Sequence, residues 1–192
     1  MNKITKYPLR LLIVVLFICM GTVAQANDTK YQRTIEDYTI PDVVLMNQNG
    51  EDVRFKEIMQ SDRPVIVDFI FATCTAICPI LSAGYASLQQ KLGSKYQNVH
   101  LVSISLDPEN DTPKVMSAYL KRYGAKPGWD FLTGPREEIN KIMRAFNAYI
   151  PNKMYLYPLT LIRLPEDGKW VRIFGILSTS EFMSECQKAG VK

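Results

Sequence analysis

The stretch Val65–Pro79, with the sequence VIVDFIFATCTAICP, joins a strand pattern to a helix pattern. Its first part is apolar, β-branched and aromatic, as in a strand that is buried on both faces. Beyond Cys78 the apolar residues recur at helical spacing, which predicts a helix that starts near Pro79. Cys74 and Cys78 are therefore expected where a buried strand passes into the N-terminus of a helix.

That position gives the two thiols a distinct chemistry. The free N–H groups and partial positive charge of a helix N-terminus favour a thiolate over a thiol. The pKa of a thiol there falls from about 8.5 to roughly 3.5–7.5. Two polarised thiols spaced as C-x-x-x-C can exchange disulfides or hold a soft metal ion. A structural disulfide is a further interpretation, although a bridge across so short a loop constrains the unfolded chain little.

Residues 1–26 have the pattern of a secretory signal. A basic start is followed by a short apolar core and by the cleavage pattern Ala24-Gln25-Ala26. The apolar core is shorter than the about 20 residues that span a bilayer, so cleavage is expected, with an uncleaved membrane anchor as the alternative. We therefore expect an exported protein that is periplasmic, or anchored in the inner membrane and facing the periplasm.

The charge and length of the chain limit its class. The 192 residues carry a formal net charge of +4. The signal contains three of the 23 basic residues and none of the 19 acidic ones, so its removal lowers the net charge to +1. This balance predicts no nucleic-acid partner. We assign 27–37 to a flexible N-terminal segment and 38–192 to a single domain, which is long enough to bury a substantial core.

The order of the remaining elements predicts an α/β domain with an N-terminal β-hairpin extension. The expected elements after the signal are a hairpin within Tyr38–Phe55, the strand and helix around the two cysteines, a strand over Asn98–Leu106, a helix from Pro113 capped by Thr112, a strand at Trp129–Thr133, a helix over Pro135–Tyr149, a hairpin of Pro158–Leu164 and Lys169–Phe174, and a last helix from Ser178. This order predicts a central mixed sheet flanked by helices, parallel first and antiparallel later. The cysteine-bearing turn then lies at the carboxyl end of the central strand, where such sheets bind ligands.

Several residues around the cysteine pair resemble those of a known family. Asp68 lies six residues before Cys74, and thioredoxin carries a buried Asp at the same offset from its first Cys. The C-x-x-x-C spacing, the following Pro79 and the stretch SISLDPENDTP at Ser103–Pro113 resemble the Sco/SenC family, over about residues 38–182. The resemblance implies a thioredoxin-like fold and a copper-handling protein that assists assembly of cytochrome oxidase copper centres. It also implies that Asp68 exchanges a proton with the second thiol; a structural carboxylate satisfied by backbone groups is the alternative.

The chain departs from this family at the copper site. The family binds copper with its two Cys and a distant His, and the matching position here is Tyr157. The single His of the chain, His100, lies in a predicted central strand, where we expect a packed, hydrogen-bonded residue rather than a copper ligand. Pro158 resembles the cis-Pro that thioredoxins place opposite their Cys pair, with a trans edge-strand Pro as the alternative.

We interpret the chain as an exported Sco-type thiol–disulfide oxidoreductase with the site residues Cys74, Cys78, Asp68 and Pro158. Cys74 would attack and Cys78 would resolve. No tightly bound cofactor is expected, although the two thiolates could hold Cu(I), and Cu(II) only weakly without an imidazole. The expected partner is a cysteine-containing protein, such as a cytochrome oxidase subunit or a copper chaperone. The alternatives are a copper metallochaperone that uses the same cysteines with an unidentified third donor, and a redox-silent module with a structural disulfide.

Three further side chains each have more than one interpretation. Cys186 fits a small core residue on the last helix, with a third metal ligand or an intermolecular bridge as alternatives. Asp107 and Asp111 fit a capping and turning role in the loop before the helix at Pro113, with a negative rim beside the thiols as the alternative.

Overall fold

The computed structural model describes residues 30–191, so the predicted signal over 1–26 lies outside the described residues. The strands are β1 (Gln32–Glu36), β2 (Val44–Met46), β3 (Asp52–Arg54), β4 (Val65–Ile70), β5 (His100–Ser105), β6 (Trp129–Leu132), β7 (Leu159–Arg163) and β8 (Trp170–Phe174). The α-helices are α1 (Phe55–Met59), α2 (Cys78–Leu92), α3 (Pro113–Arg122), α4 (Arg136–Ala145) and α5 (Thr179–Lys188). Short 3-10 helices lie at Gly93–Asn98 and Lys153–Tyr155. Within 30–191, no helix has the length and apolar character needed to cross a bilayer.

Six of the strands form one mixed sheet in the order β1-β8-β7-β4-β5-β6. Strands β4, β5 and β6 are parallel, and β7, β8 and β1 extend the sheet by antiparallel pairing. Strands β2 and β3 form a separate hairpin. Every residue of β4 is buried, because the strand has neighbours on both sides and helices on both faces; this explains its continuous apolar sequence. The predicted mixed α/β sheet is therefore confirmed.

Helices cover the sheet on both faces. On one face α2 packs against α5, and the ring of Tyr85 lies 5.8 Å from that of Phe182. On the other face the ring of Phe69 in β4 lies 6.3 Å from that of Phe146, just after α4. Because successive strand residues point to opposite faces, Asp68 points toward α2, within electrostatic reach of Tyr85. The sheet thus buries a carboxyl group under the helix that begins with Cys78.

The N-terminal segment differs from the sequence prediction. Flexibility was expected over 27–37, but Gln32–Glu36 forms β1 and pairs with β8 along its whole length. The side chains of β1 are mostly exposed, so the strand is held by its main chain and by Glu185 of α5. The buried Glu185 carboxylate accepts hydrogen bonds from Arg33 Nε at 2.7 Å and from the Tyr31 hydroxyl at 3.1 Å. A polar edge strand of this kind has no apolar pattern that would predict it.

Two helices also differ from the prediction. The five-residue α1 was not predicted, because it is too short to show a helical period. Helix α4 ends at Ala145 rather than near Tyr149, because Asn147 takes a positive φ of 51° that ends the helical path.

Candidate functional site

The two cysteines lie at the predicted junction between β4 and α2. The chain turns directly after β4, where the Cys74 N–H donates to the Phe71 carbonyl at 3.1 Å. Helix α2 then begins at Cys78, with Pro79 in its first turn. Cys74 is half-buried, whereas Cys78 is wholly buried. The backbone N–H of Cys78 donates to the sulfur of Cys74, with N and Sγ 3.5 Å apart.

The two thiols have opposite acidities. Partial burial favours a raised pKa for Cys74, but hydrogen bonds from the Cys78 thiol and from the backbone N–H groups of residues 76–78 outweigh it and lower the pKa. Burial raises the pKa of Cys78 well above its ordinary value, and the hydrogen bond that its thiol donates to Cys74 raises it further. In the reduced pair, Cys74 therefore loses its proton more readily than Cys78 does.

Asp68 is fully buried in β4, and within 30–191 neither carboxyl oxygen has a partner with good hydrogen-bond geometry, although the Ser103 hydroxyl and the Asp68 N–H lie nearby. Burial raises the pKa of this carboxyl to about 7, and the nearby Ser103 hydroxyl and the Asp68 backbone N–H offset only part of the rise. Its negative charge contributes in turn to the raised pKa of Cys78. An acid that titrates near neutrality therefore lies within electrostatic reach of the buried thiol.

Cys74 opens into a cleft of about 220 Å³ between two walls. One wall is the loop that carries the cysteines, and the other is the segment 153–156. The remaining lining residues are mostly apolar or small: Phe71, Thr73, Thr75, Ala76, Ile77, Lys153, Met154 and Leu156. Among them only Lys153 carries a formal charge. Met154 is 72% exposed, which places its side chain at the mouth of the cleft.

The loop after β5 joins the two walls of the cleft. The buried carboxylate of Asp111 accepts a hydrogen bond from the Ala72 N–H at 3.2 Å, at the start of the cysteine loop. Asp107, at the start of the same loop, forms an ion pair with Lys153 of the opposite wall. Because β5 is the parallel neighbour of β4, its carboxyl end lies beside the cysteines and can support both walls.

The roles of these two carboxylates were only partly predicted. Asp107 stabilises the turn of its loop as expected, since its side chain accepts a hydrogen bond from the Asn110 side-chain amide at 3.0 Å. Asp111 does not cap α3, which is capped by Thr112 accepting from the Val115 N–H at 3.4 Å. No local pattern could have shown that Asp111 bonds to a residue 39 positions earlier.

Tyr157 and Pro158 do not line the cleft, although Leu156 does. The ring of Tyr157 lies instead against Phe174, with the ring centroids 5.1 Å apart. The prediction of a cis bond before Pro158 is wrong, because every peptide bond in the described residues is trans. The Pro158 carbonyl accepts a hydrogen bond from the Gly175 N–H at 3.0 Å. Pro158 therefore extends the pairing of β7 with β8, with a trans peptide bond before it.

His100 and Cys186 lie in the core, as expected. His100 Nε2 is 2.6 Å from Asp130 Oδ2, a contact between neighbouring strands that confirms its packed, hydrogen-bonded role. Cys186 is buried in α5, and burial raises the pKa of its thiol to about 12. Neither residue lines the cleft beside Cys74.

The donor set near the cysteines fits one oxidation state of copper better than the other. Within 30–191, no three side chains of His, Cys, Asp or Glu are grouped so as to hold a metal ion. A Cu(II) site that requires an imidazole therefore does not fit this chain. A soft Cu(I) ion does fit, because two thiolates are sufficient ligands for it, and Cys74 and Cys78 supply them when both are reduced and deprotonated.

Comparisons with known proteins place the chain among its relatives. The family model SCO1/SenC matches residues 32–161. The chain belongs to the SCO1/SenC family. The SCO1 protein homolog of Bacillus subtilis (strain 168) is 31% identical over 141 residues, which cover 72% of this chain and 69% of the relative.

Solved structures of the Sco family match the fold. BsSco, a member of the Sco family of cytochrome c oxidase assembly proteins in which a disulfide switch has been identified, has a TM-score of 0.68 and 27% identity. The match covers 81% of this chain and 95% of BsSco. Copper-bound ScoI of Bradyrhizobium japonicum has a TM-score of 0.61 and 27% identity, over 76% of this chain and 94% of its own. The predicted Sco/SenC membership and thioredoxin-like fold are confirmed.

The buried Asp68 generates a prediction about stability. Its pKa rises from 3.8 to about 7 on folding, so the folded protein keeps a proton that the unfolded chain has already lost. The free energy of unfolding should therefore fall as the pH rises through this window. Asp68→Asn should make the fall in unfolding free energy less steep, because each unit of pKa shift that it removes is worth about 1.4 kcal/mol.

Urea unfolding of the reduced protein between about pH 4 and pH 8 measures this dependence. Asp52→Asn, at an exposed position of β3, is the matched control and should retain the wild-type slope. The same slope in wild type and Asp68→Asn would show that the carboxyl group titrates at its ordinary pKa in the folded state.

The position of Tyr157 generates a prediction about copper. Tyr157→Phe should leave copper binding unchanged, because the ring lies against Phe174 and does not line the cleft beside Cys74. Tyr157→His should raise the Cu(II) affinity and produce a thiolate–copper charge-transfer band, because it supplies an imidazole beside Leu156, which lines the cleft. Cu(II) titrations followed by absorption compare the two variants. Tight Cu(II) binding by the wild type that disappears in Tyr157→Phe would instead make the phenol a ligand.

Proposed function

We propose that this protein is an exported Sco-type thiol–disulfide oxidoreductase that acts on cysteines of a partner protein during assembly of a respiratory copper site. The observation that supports this most strongly is the asymmetry of the pair. Cys74 is accessible from a cleft and its sulfur accepts the Cys78 N–H, whereas Cys78 is wholly buried. An accessible thiolate beside a buried thiol suits a nucleophile and its resolving partner.

The exchange takes place in two steps. The Cys74 thiolate attacks one sulfur of the partner disulfide, forming a mixed disulfide, and the other partner sulfur leaves as a thiolate that takes up a proton. Cys78 then loses its proton and attacks the Cys74 sulfur, which releases the second partner thiolate. The partner has gained two electrons, and Cys74 and Cys78 are joined by a disulfide. A dithiol reductant must then return the pair to its reduced form.

Asp68 is the proposed proton acceptor in the second step. Cys78 must lose its proton to attack, and its raised pKa opposes this at neutral pH. Burial raises the pKa of the Asp68 carboxyl to about 7, and the group is within electrostatic reach of Cys78, so it is the proposed acceptor of that proton, directly or through one water.

Family membership supports the choice of partner. BsSco belongs to a family of cytochrome c oxidase assembly proteins, and ScoI of Bradyrhizobium japonicum has been solved with copper bound. Cysteine ligands bind copper as thiolates, so the cysteines of a copper site must be reduced before the metal enters. The apolar cleft beside Cys74 suits the side chains that flank such a cysteine, and the pattern of residues 1–26 supports export.

A copper metallochaperone is the second candidate function. The same two thiols favour it, because once both are deprotonated they form a sufficient donor pair for Cu(I). Binding would require the reduced pair, so the redox state would decide between copper transfer and disulfide exchange.

Trapping of a mixed disulfide tests the proposed order of attack. Cys78→Ser should accumulate a covalent adduct on Cys74 when the reduced protein meets a synthetic peptide that carries one internal disulfide, because the resolving thiol is absent. Cys186→Ser is the matched control for loss of a buried thiol and should resolve the adduct as the wild type does. Mass spectrometry of the quenched reaction identifies the modified cysteine. An adduct that accumulates only in Cys74→Ser would make Cys78 the attacking thiol. The absence of an adduct in both variants would contradict the proposed oxidoreductase function.

A further inference from the structure

Met154 shares the cleft with Cys74 and is not needed for disulfide exchange. Its side chain is 72% exposed, although the thioether of methionine is apolar and usually packs into a core. We infer that Met154 is the third ligand of a Cu(I) site, whose other two ligands are the thiolates of Cys74 and Cys78. This inference requires the pair to be reduced, but it does not require the pair to exchange disulfides with a partner.

The backbone around Met154 is fixed opposite the cysteine loop. The Met154 N–H donates to Oδ1 of Asn152 at 2.9 Å, which caps the 3-10 helix Lys153–Tyr155. The preceding Lys153 pairs with Asp107, and its ammonium group lies 5.1 Å from the ring centroid of Phe71. These contacts hold the segment against the wall that carries Cys74, while the flexible side chain of Met154 stays free to turn into the cleft.

The chemistry of the thioether suits the ion that the two thiolates select. Thiolate and thioether sulfurs are soft ligands and favour Cu(I), whereas Cu(II) is better served by imidazole. No imidazole is available here, because Tyr157 occupies the matching position and His100 is bound to Asp130 within the sheet. A neutral third sulfur adds a donor without adding charge beside the thiolates. The site would therefore retain Cu(I) and discriminate against Cu(II).

A Cu(I) competition titration tests the thioether directly. The reduced full-length protein is titrated with Cu(I) without oxygen, in the presence of the chelator bicinchoninate. Met154→Leu keeps the size of the side chain but removes the sulfur, and should lower the Cu(I) affinity about tenfold, which is about 1.4 kcal/mol. Met154→His supplies a different donor and should bind Cu(I) more tightly than Met154→Leu.

Two matched controls separate ligation from general effects. Met183→Leu removes a half-buried thioether on α5, and Tyr155→Leu alters a side chain that is as exposed as Met154. Both should keep the wild-type affinity. X-ray absorption at the copper edge should count three sulfur ligands in the wild type and two in Met154→Leu.

The outcomes distinguish this inference from the proposed function. Equal affinity and equal sulfur count in wild type and Met154→Leu would overturn the thioether ligand, as would an equal loss in Met183→Leu. A wild type that binds no Cu(I) would also overturn it. The trapping of a mixed disulfide in Cys78→Ser is carried out without copper. Its result therefore tests the oxidoreductase function alone, and the Cu(I) titration tests the copper site alone.

Discussion

The hydrogen bond from the Cys78 N–H to the sulfur of Cys74 is the interaction on which the chemistry of this site depends. It exists because the first residue of α2 is also the second cysteine, so the unsatisfied N–H groups of the helix point at the preceding thiol. The same geometry buries the Cys78 side chain, and burial raises the pKa of its thiol, so that the thiol retains its proton. One backbone arrangement therefore lowers the pKa of one thiol and raises that of the other.

The order of the sheet supports this arrangement from outside the cysteine loop. Strand β5 lies beside β4, so the loop that follows β5 is placed next to the cysteines. From there Asp111 bonds to Ala72 and Asp107 to Lys153, which fixes both walls of the cleft. The buried Asp68 lies on the face of β4 that α2 covers. Its carboxyl oxygens have no hydrogen-bond partner among the described residues, and burying a polar group in this way costs stability.

Much of this architecture could be predicted because it follows from local patterns. The apolar run of β4, the change to helical spacing after Cys78 and the Thr112–Pro113 start of α3 each have a short-range physical cause. Cys74, Cys78 and Asp68 could be singled out as candidates because their spacing is local and resembles that of thioredoxin. The sequence also indicated the family, because several such motifs occur together.

The features that escaped prediction depend on contacts between distant parts of the chain. Strand β1 has a polar sequence and is held by pairing with β8. Asp111 finds Ala72 only after β5 has paired with β4, and Met154 reaches the cleft through a loop with no periodicity. The cis bond before Pro158 was wrongly predicted because a resemblance to thioredoxin was extended to a peptide bond that is trans in this chain.

The central claim is that the reduced pair consists of an accessible thiolate at Cys74 and a buried thiol at Cys78. The pH profile of alkylation by iodoacetamide, resolved for each cysteine by mass spectrometry, tests it most directly, because only the thiolate reacts. Cys74 should be modified with a midpoint below the ordinary pKa of a thiol, while Cys78 should stay unmodified until the protein unfolds. Modification of Cys78 first, or a Cys74 midpoint at or above the ordinary value, would contradict this assignment of the two thiols.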